Sequence, residues 1–142
     1  GGSGANALHI ANDFLYGSGI ANKKGINVEA LVSNSSVITC LANDVGYDSI
    51  FSEQIKVKAK KNDLLIILSG SGNSKNILKA IKIAKKMDVL TFGVIGFDGG
   101  EAKKILDDFI HYEIDDMQVV EDLQMFTFHI CSKYFSKIKF VK

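Results

Sequence analysis

Apolar positions along the chain recur with two periods, and their alternation predicts the order of the elements. Over residues 6–16, Leu8, Ala11 and Leu15 fall at helical spacing, which predicts a helix. Residues 27–32 are short and suit a strand. Ser36 is placed to cap a short helix through Leu41, and residues 50–59 predict another after the turn around Gly46. The continuous run Leu64-Leu65-Ile66-Ile67-Leu68 predicts a strand over residues 63–69 buried on both faces. A turn at residues 70–73 follows, then a helix capped by Ser74. Ile77, Ala80, Ile81, Ala84 and Met87 line one face of that helix, with Lys79, Lys82, Lys85 and Lys86 mostly away from it. Residues 89–95 predict a third strand, residues 96–100 a turn, Glu101 the start of a short helix, residues 109–114 a fourth strand, and residues 117–135 a final helix. Strands and helices alternating over short connections imply parallel crossovers. The expected fold is therefore an α/β three-layer sandwich with a parallel sheet.

Length and composition narrow the class. A chain of 142 residues fits one domain, and 46% hydrophobic with 23% charged residues is enough to bury a core. The longest aliphatic run is far below the roughly 20 residues needed to cross a bilayer, and no charged-then-apolar leader opens the chain, so no membrane span is expected. Seventeen basic residues against sixteen acidic ones, interspersed along the chain, leave a net charge of +1 and no patch that attracts nucleic acid. Every basic residue is Lys, so a bound anion must rely on ammonium groups, hydroxyls and backbone N–H rather than an Arg fork. Cys40 and Cys131 have apolar flanks and no metal spacing, and read as reduced, buried thiols of a cytosolic protein.

Ser69-Gly70-Ser71-Gly72-Asn73-Ser74 carries the strongest chemical signal. It follows a strand and opens a helix, at the sheet edge where α/β proteins bind ligands. Hydroxyls and free N–H groups at a helix N-terminus suit a phosphate. Neither the Walker ending nor the Rossmann glycine spacing is present, and a plain turn rich in Ser and Gly is the competing reading. His9 and Asp13, four residues apart, share one helix face and can converge on one ion or proton. Glu121 and His129 are eight apart, a rise of about 12 Å, so a straight helix does not bring both onto one ion. Gly1-Gly2-Ser3-Gly4 reads as a flexible linker, or as a phosphate loop without the strand that ordinarily precedes one.

Together these motifs resemble the sugar isomerase (SIS) domain family, and within it the phosphoheptose isomerase group. The resemblance spans nearly the whole chain as a single SIS domain over residues 1–142. It rests on Gly1-Gly2-Ser3, Ala7-Leu8-His9-Ile10-Ala11-Asn12-Asp13, Ala42-Asn43-Asp44-Val45-Gly46-Tyr47-Asp48, the serine loop, Gly96-Phe97-Asp98-Gly99-Gly100, and Val119-Val120-Glu121-Asp122 leading to His129. It implies a Rossmann-like sheet that lacks its leading helix and first strand. It further implies that Ser3, Ser69, Ser71 and Ser74 hold the sugar phosphate with the Gly70 backbone assisting, that Asn43 and Asp44 meet sugar hydroxyls, and that Gly2, Asp13 and Glu121 contact substrate.

By the same resemblance, Asp13 and His129 form the acid/base pair, and His9, Asp13, Glu121 and His129 hold a metal, most often Zn2+. Three positions depart from the family pattern: Asp13 stands for Glu, Glu121 for a common Gln, and Gly70 for a common Thr. The implied activity is aldose-ketose isomerisation of sedoheptulose 7-phosphate through an enediolate, in a cytoplasmic homo-oligomer, dimeric or tetrameric, that supplies heptose for lipopolysaccharide or capsule. The final helix, apolar nearly all round, offers a seam for that assembly. Two alternatives are a non-catalytic SIS adaptor binding a sugar phosphate or a protein, and an isomerase of a pentose or hexose phosphate.

Overall fold

The structure, a computed structural model, describes residues 1–18 and 24–138. Its elements are α1 (Gly2–Leu15), α2 (Ser35–Asp44), a 3-10 turn (Tyr47–Ser49), α3 (Ser52–Lys58), β1 (Leu64–Ser69), α4 (Lys75–Lys86), β2 (Leu90–Ile95), α5 (Gly100–Ile105), β3 (Asp108–His111) and α6 (Met117–Phe135). The three strands form one parallel sheet in the order β1-β2-β3, with Leu64 opposite Leu90 and Phe92 opposite Asp108. Side chains of a strand alternate between faces, and the sheet divides its apolar residues accordingly. Ile67 and Ile95 pack with Ile81, Ala102 and Leu106 of the α4 and α5 layer. Val94 packs on the other face with Ile10 and Phe14 of α1 and Phe128 of α6. Helices therefore cover both faces, which is the three-layer α/β arrangement the pattern predicts. A further cluster of Ile55, Ala80, Ala84 and Val89 seats α3 on α4.

Several expectations are corrected. Residues 27–32 form no strand: among the described residues β1 is hydrogen-bonded to β2 alone, and an extended segment becomes a strand only where a neighbouring strand takes its N–H and C=O groups. β1 is not buried on both faces along its length, since Leu64 is 57% exposed at the uncovered end of the strand. β3 ends at His111 because only Phe92–Ile95 of β2 lie opposite it. The cap of α2 is Asn34 rather than Ser36; its side chain accepts from the Val37 N–H at 3.1 Å. In α1 the buried stripe is Ile10 and Phe14, while Leu8 and Leu15 face outward. Cys40 is exposed rather than buried, and Cys131 is partly buried; both are free thiols.

The start of β2 is tied to the end of α5 by Asp107. Its carboxylate accepts from Lys85 Nζ at 2.7 Å, Thr91 N–H at 2.9 Å and Thr91 Oγ1 at 2.8 Å. The hydrogen bond from Lys85, with those from Thr91, lowers the Asp107 carboxyl to about 2. A carboxyl held below its unfolded value stabilises the fold above that unfolded value, and the contribution disappears as pH falls through the folded one. Asp107→Asn is therefore expected to lower Tm at pH 7 by more than at pH 2. Equal losses at both pH values, measured by thermal unfolding, would contradict this.

Candidate active site

Helices α1 and α6, from opposite ends of the chain, lie side by side. Contacts climb in the same order on both, Ser3 with Glu121, Asn6 with Gln124, and His9 with His129, so the helices run parallel. Phe14 and Phe128 meet edge to face at 5.9 Å between ring centroids, gluing the pair onto the sheet. This packing gathers three side chains of potential chemical use. His129 Nε2 lies 3.2 Å from His9 Nε2 and 3.5 Å from Asp13 Oδ2, and His9 Nε2 lies 3.6 Å from the same oxygen. Both imidazoles are about half exposed and Asp13 is largely covered.

Among the described residues, these three form the cluster of His, Cys, Asp or Glu side chains able to converge on a cation, with ligand atoms within 4.8 Å of one another. Ligands about 2.0 to 2.2 Å from zinc at tetrahedral corners stand about 3.3 to 3.6 Å apart. The observed separations match three such corners, and the donor set of two imidazoles and one carboxylate suits zinc, so the residues fit the ion.

Glu121 lies elsewhere. Its Oε1 accepts from Ser3 N–H at 2.8 Å and from Ser3 Oγ at 3.1 Å, so its carboxylate sits at the N-terminus of α1, where negative charge is favoured. A Cβ at Gly2 would meet that carboxylate, so a larger residue there would push the Glu121 side chain aside. Gly2 and Ser3 are thus the first turn of α1. α6 is continuous from Met117 to Phe135, so His129 stands about 12 Å further along the axis than Glu121. For Glu121 to join the cluster, its carboxylate would have to leave Ser3.

The serine loop sits at the carboxyl end of β1, as the sequence predicts. Ser69 Oγ accepts from Gly72 N–H at 3.1 Å and Ser71 Oγ from Asn73 N–H at 3.2 Å, leaving each hydroxyl its own proton to donate. Ser74 is the N-cap residue of α4 without a side-chain capping bond. Gly72 adopts φ +66°, and a Cβ there would strike the backbone carbonyl of Gly99. The turn after β2 braces the loop: Ala102 N–H donates to Gly72 O at 3.0 Å and Glu101 N–H to Asn73 Oδ1 at 3.0 Å. At Gly70, the Met117 side chain fills the space that a Thr side chain would take.

Asn43 and Asp44 end α2 on the surface. Asn43 Nδ2 donates to Asp44 Oδ1 at 2.7 Å, and Cys40 Sγ lies 3.5 Å from Asp44 Oδ2. That hydrogen bond, with the Asp44 charge, pushes the Cys40 thiol above its ordinary value. Sequence reasoning missed Asn6, Gln124 and Met117, which link the two helices and cover the loop. The only signal for the first two was their helical offset of three from Ser3 and Glu121.

The SIS domain family model matches residues 1–96. The chain belongs to the SIS domain family. This SIS domain is 38% identical over 130 residues to a phosphoheptose isomerase of Helicobacter pylori strain Shi470, across 92% of this chain and 67% of that one. It is 35% identical over 133 residues to a probable phosphoheptose isomerase of Thermoplasma acidophilum, across 93% of this chain and 72% of that one. Among solved structures, the phosphoheptose isomerase of Neisseria gonorrhoeae superposes with a TM-score of 0.87 at 27% identity, covering 97% of this chain and 73% of the other. The Francisella tularensis phosphoheptose isomerase, at 22% identity and a TM-score of 0.90 over 97% of this chain and 73% of that one, shares the fold.

Proposed function

We propose that the protein is a phosphoheptose isomerase, converting sedoheptulose 7-phosphate to D-glycero-D-manno-heptose 7-phosphate. The observation that carries this reading is the approach of Asp13 Oδ2 and His129 Nε2 to 3.5 Å in a SIS domain whose curated relatives are isomerases. The C1 proton of the open-chain ketose is weakly acidic because the carbonyl stands next to it. Asp13 takes that proton, and His129 gives a proton to the C2 oxygen, forming the enediol. Asp13 then returns its proton to C2 while the C1 hydroxyl gives one up to His129, which leaves the aldose and restores both side chains.

Asp13 is one methylene shorter than the family's Glu, so the sugar must sit closer to α1. His9 and Asp13 would hold zinc, with His129 a third ligand only in its unprotonated form, since a nitrogen on the ion cannot also deliver a proton, and the ion would act as a Lewis acid on the substrate oxygens. Asp13 has two oxygens, one for a cation and one for a proton. Ser69, Ser71 and Ser74 would donate to the phosphate, with the Gly70 backbone assisting. Glu121, Asn43 and Asp44 are left for sugar hydroxyls, while Ser3, which the resemblance gives to the phosphate, donates its N–H and hydroxyl to Glu121. Following the sugar by NMR in the presence of zinc tests the reading. Conversion is expected, and its absence from the full-length protein would overturn the assignment. The adaptor alternative is not favoured, because the relatives at 35–38% identity are named as isomerases.

The assembly is part of the proposal. Met117 touches Gly70, and His129 lies twelve residues further along α6, about 18 Å. A seven-carbon chain from its carbonyl to its phosphorus spans only about 10 Å, taking the reach per bond from an extended backbone. The cluster of one subunit is therefore better served by the serine loop of another. Leu8, Leu15, Phe126 and Ile130, all 46% exposed or more on α1 and α6, offer the apolar seam of a homo-oligomer. Mixing inactive Ser71→Ala and His129→Ala subunits should restore part of the activity if sites are shared. Mixed particles as inactive as their parents would refute shared sites. No helix among the described residues is long and apolar enough to cross a membrane, and a cytoplasmic place in heptose supply for lipopolysaccharide or capsule completes the reading.

A further inference from the structure

We infer that Asn6 is a positioning residue, which sets how α1 lies against α6 and thereby holds His9 and Asp13 at His129. Its Nδ2 donates to the Glu121 backbone carbonyl at 2.9 Å and to Gln124 Oε1 at 3.2 Å. One turn earlier, Ser3 donates twice to Glu121. Ser3 to Glu121 and Asn6 to Gln124 are both separated by 118 residues, so two polar contacts repeat at one offset along parallel helices. Asn6 is three residues before His9 and seven before Asp13, on the same helix face.

Apolar contacts such as Phe14 on Phe128 hold the helices together, and because burial of apolar surface is non-directional they fix the relative slide less sharply than a hydrogen bond does. Directional hydrogen bonds do choose it. A slip of one residue would move the helices by about 1.5 Å, enough to open contacts of 3.2 to 3.6 Å. Gln124 makes the arrangement intolerant of change. It is 0% exposed, its Nε2 has no partner among the described residues, and its Oε1 accepts from Asn6. Without Asn6 the buried side-chain amide loses its one hydrogen bond to a described residue.

Relevance to catalysis rests on the isomerase reading, whereas the geometry is tested without it. In full-length protein, the ring nitrogens of His9 and His129 are observed by 15N NMR, with His111 on β3 as the reference. Two variants are compared with the parent: Asn6→Ala, and Gln124→Leu, which removes the acceptor while keeping the site apolar and filled. Displaced His9 and His129 signals with His111 unmoved are expected in each, and kcat should fall by about ten- to a hundredfold with KM within twofold, since a misplacement of about 1 Å between reacting groups can cost about a hundredfold. Parental His9 and His129 signals in either folded variant would overturn the inference. Absence of turnover by the parent would sink the isomerase reading alone, with the imidazole signals still deciding the role of Asn6.

Discussion

Replacing His129 with alanine is expected to lower kcat by about 10²- to 10⁴-fold, the range that a positioned acid or base contributes. The imidazole is about half exposed and contacts His9 and Asp13 rather than the core, so its loss should leave Tm within a few degrees of the parent. Zinc affinity, measured by competition with a chromophoric chelator, should fall together with kcat, because the variant removes one of three converging ligand atoms. Asp13→Asn should also lose turnover, since an amide cannot accept the substrate proton. A His129→Ala protein of parental kcat would remove His129 from the reaction.

The second large effect is structural and falls on the serine loop. Gly72→Ala places a Cβ on a residue at φ +66° and drives it into the Gly99 carbonyl. Left-handed backbone costs a residue with a side chain about 1 to 2 kcal/mol, and overpacking typically adds about 1 to 3 kcal/mol. The sum corresponds to a fall in Tm of about 10 °C for a domain of this size. The colliding atom belongs to a backbone whose neighbours Ala102 and Glu101 are themselves bonded to the loop, so relief must come from moving both turns. KM for the sugar phosphate should rise with it, as Ser71 and Ser74 shift. A Gly72→Ala protein of unchanged Tm and KM would show that the loop tolerates other conformations.

Much of the architecture was legible along the chain. The 117–135 helix and the strand ahead of the serine loop have strong periodicity and clear boundaries, and both appear where expected. Errors fall where the answer depends on a neighbour. Residues 27–32 have the composition of a strand and, among the described residues, no strand lies hydrogen-bonded beside them. The same holds for sidedness: Leu8 and Leu15 look like the inner stripe of α1 until Ile10 and Phe14 are seen against Phe128. Cys40, flanked by apolar residues, lies on the surface because α2 buries none of its residues.

The sequence by itself determined the alternation of strands and helices, the serine loop at a strand's carboxyl end, and the pairing of His9 with Asp13 on one helical face. These follow from local periods and from covalent spacing within a single element. The resemblance placed His129 with that pair, but only the tertiary structure supplied the contact between them, and it alone decided that Glu121 is drawn to the N-terminus of α1. Both outcomes depend on how two helices distant in the chain slide past each other. That slide is set by packing and by a few directional hydrogen bonds between them, which no spacing within either helix encodes.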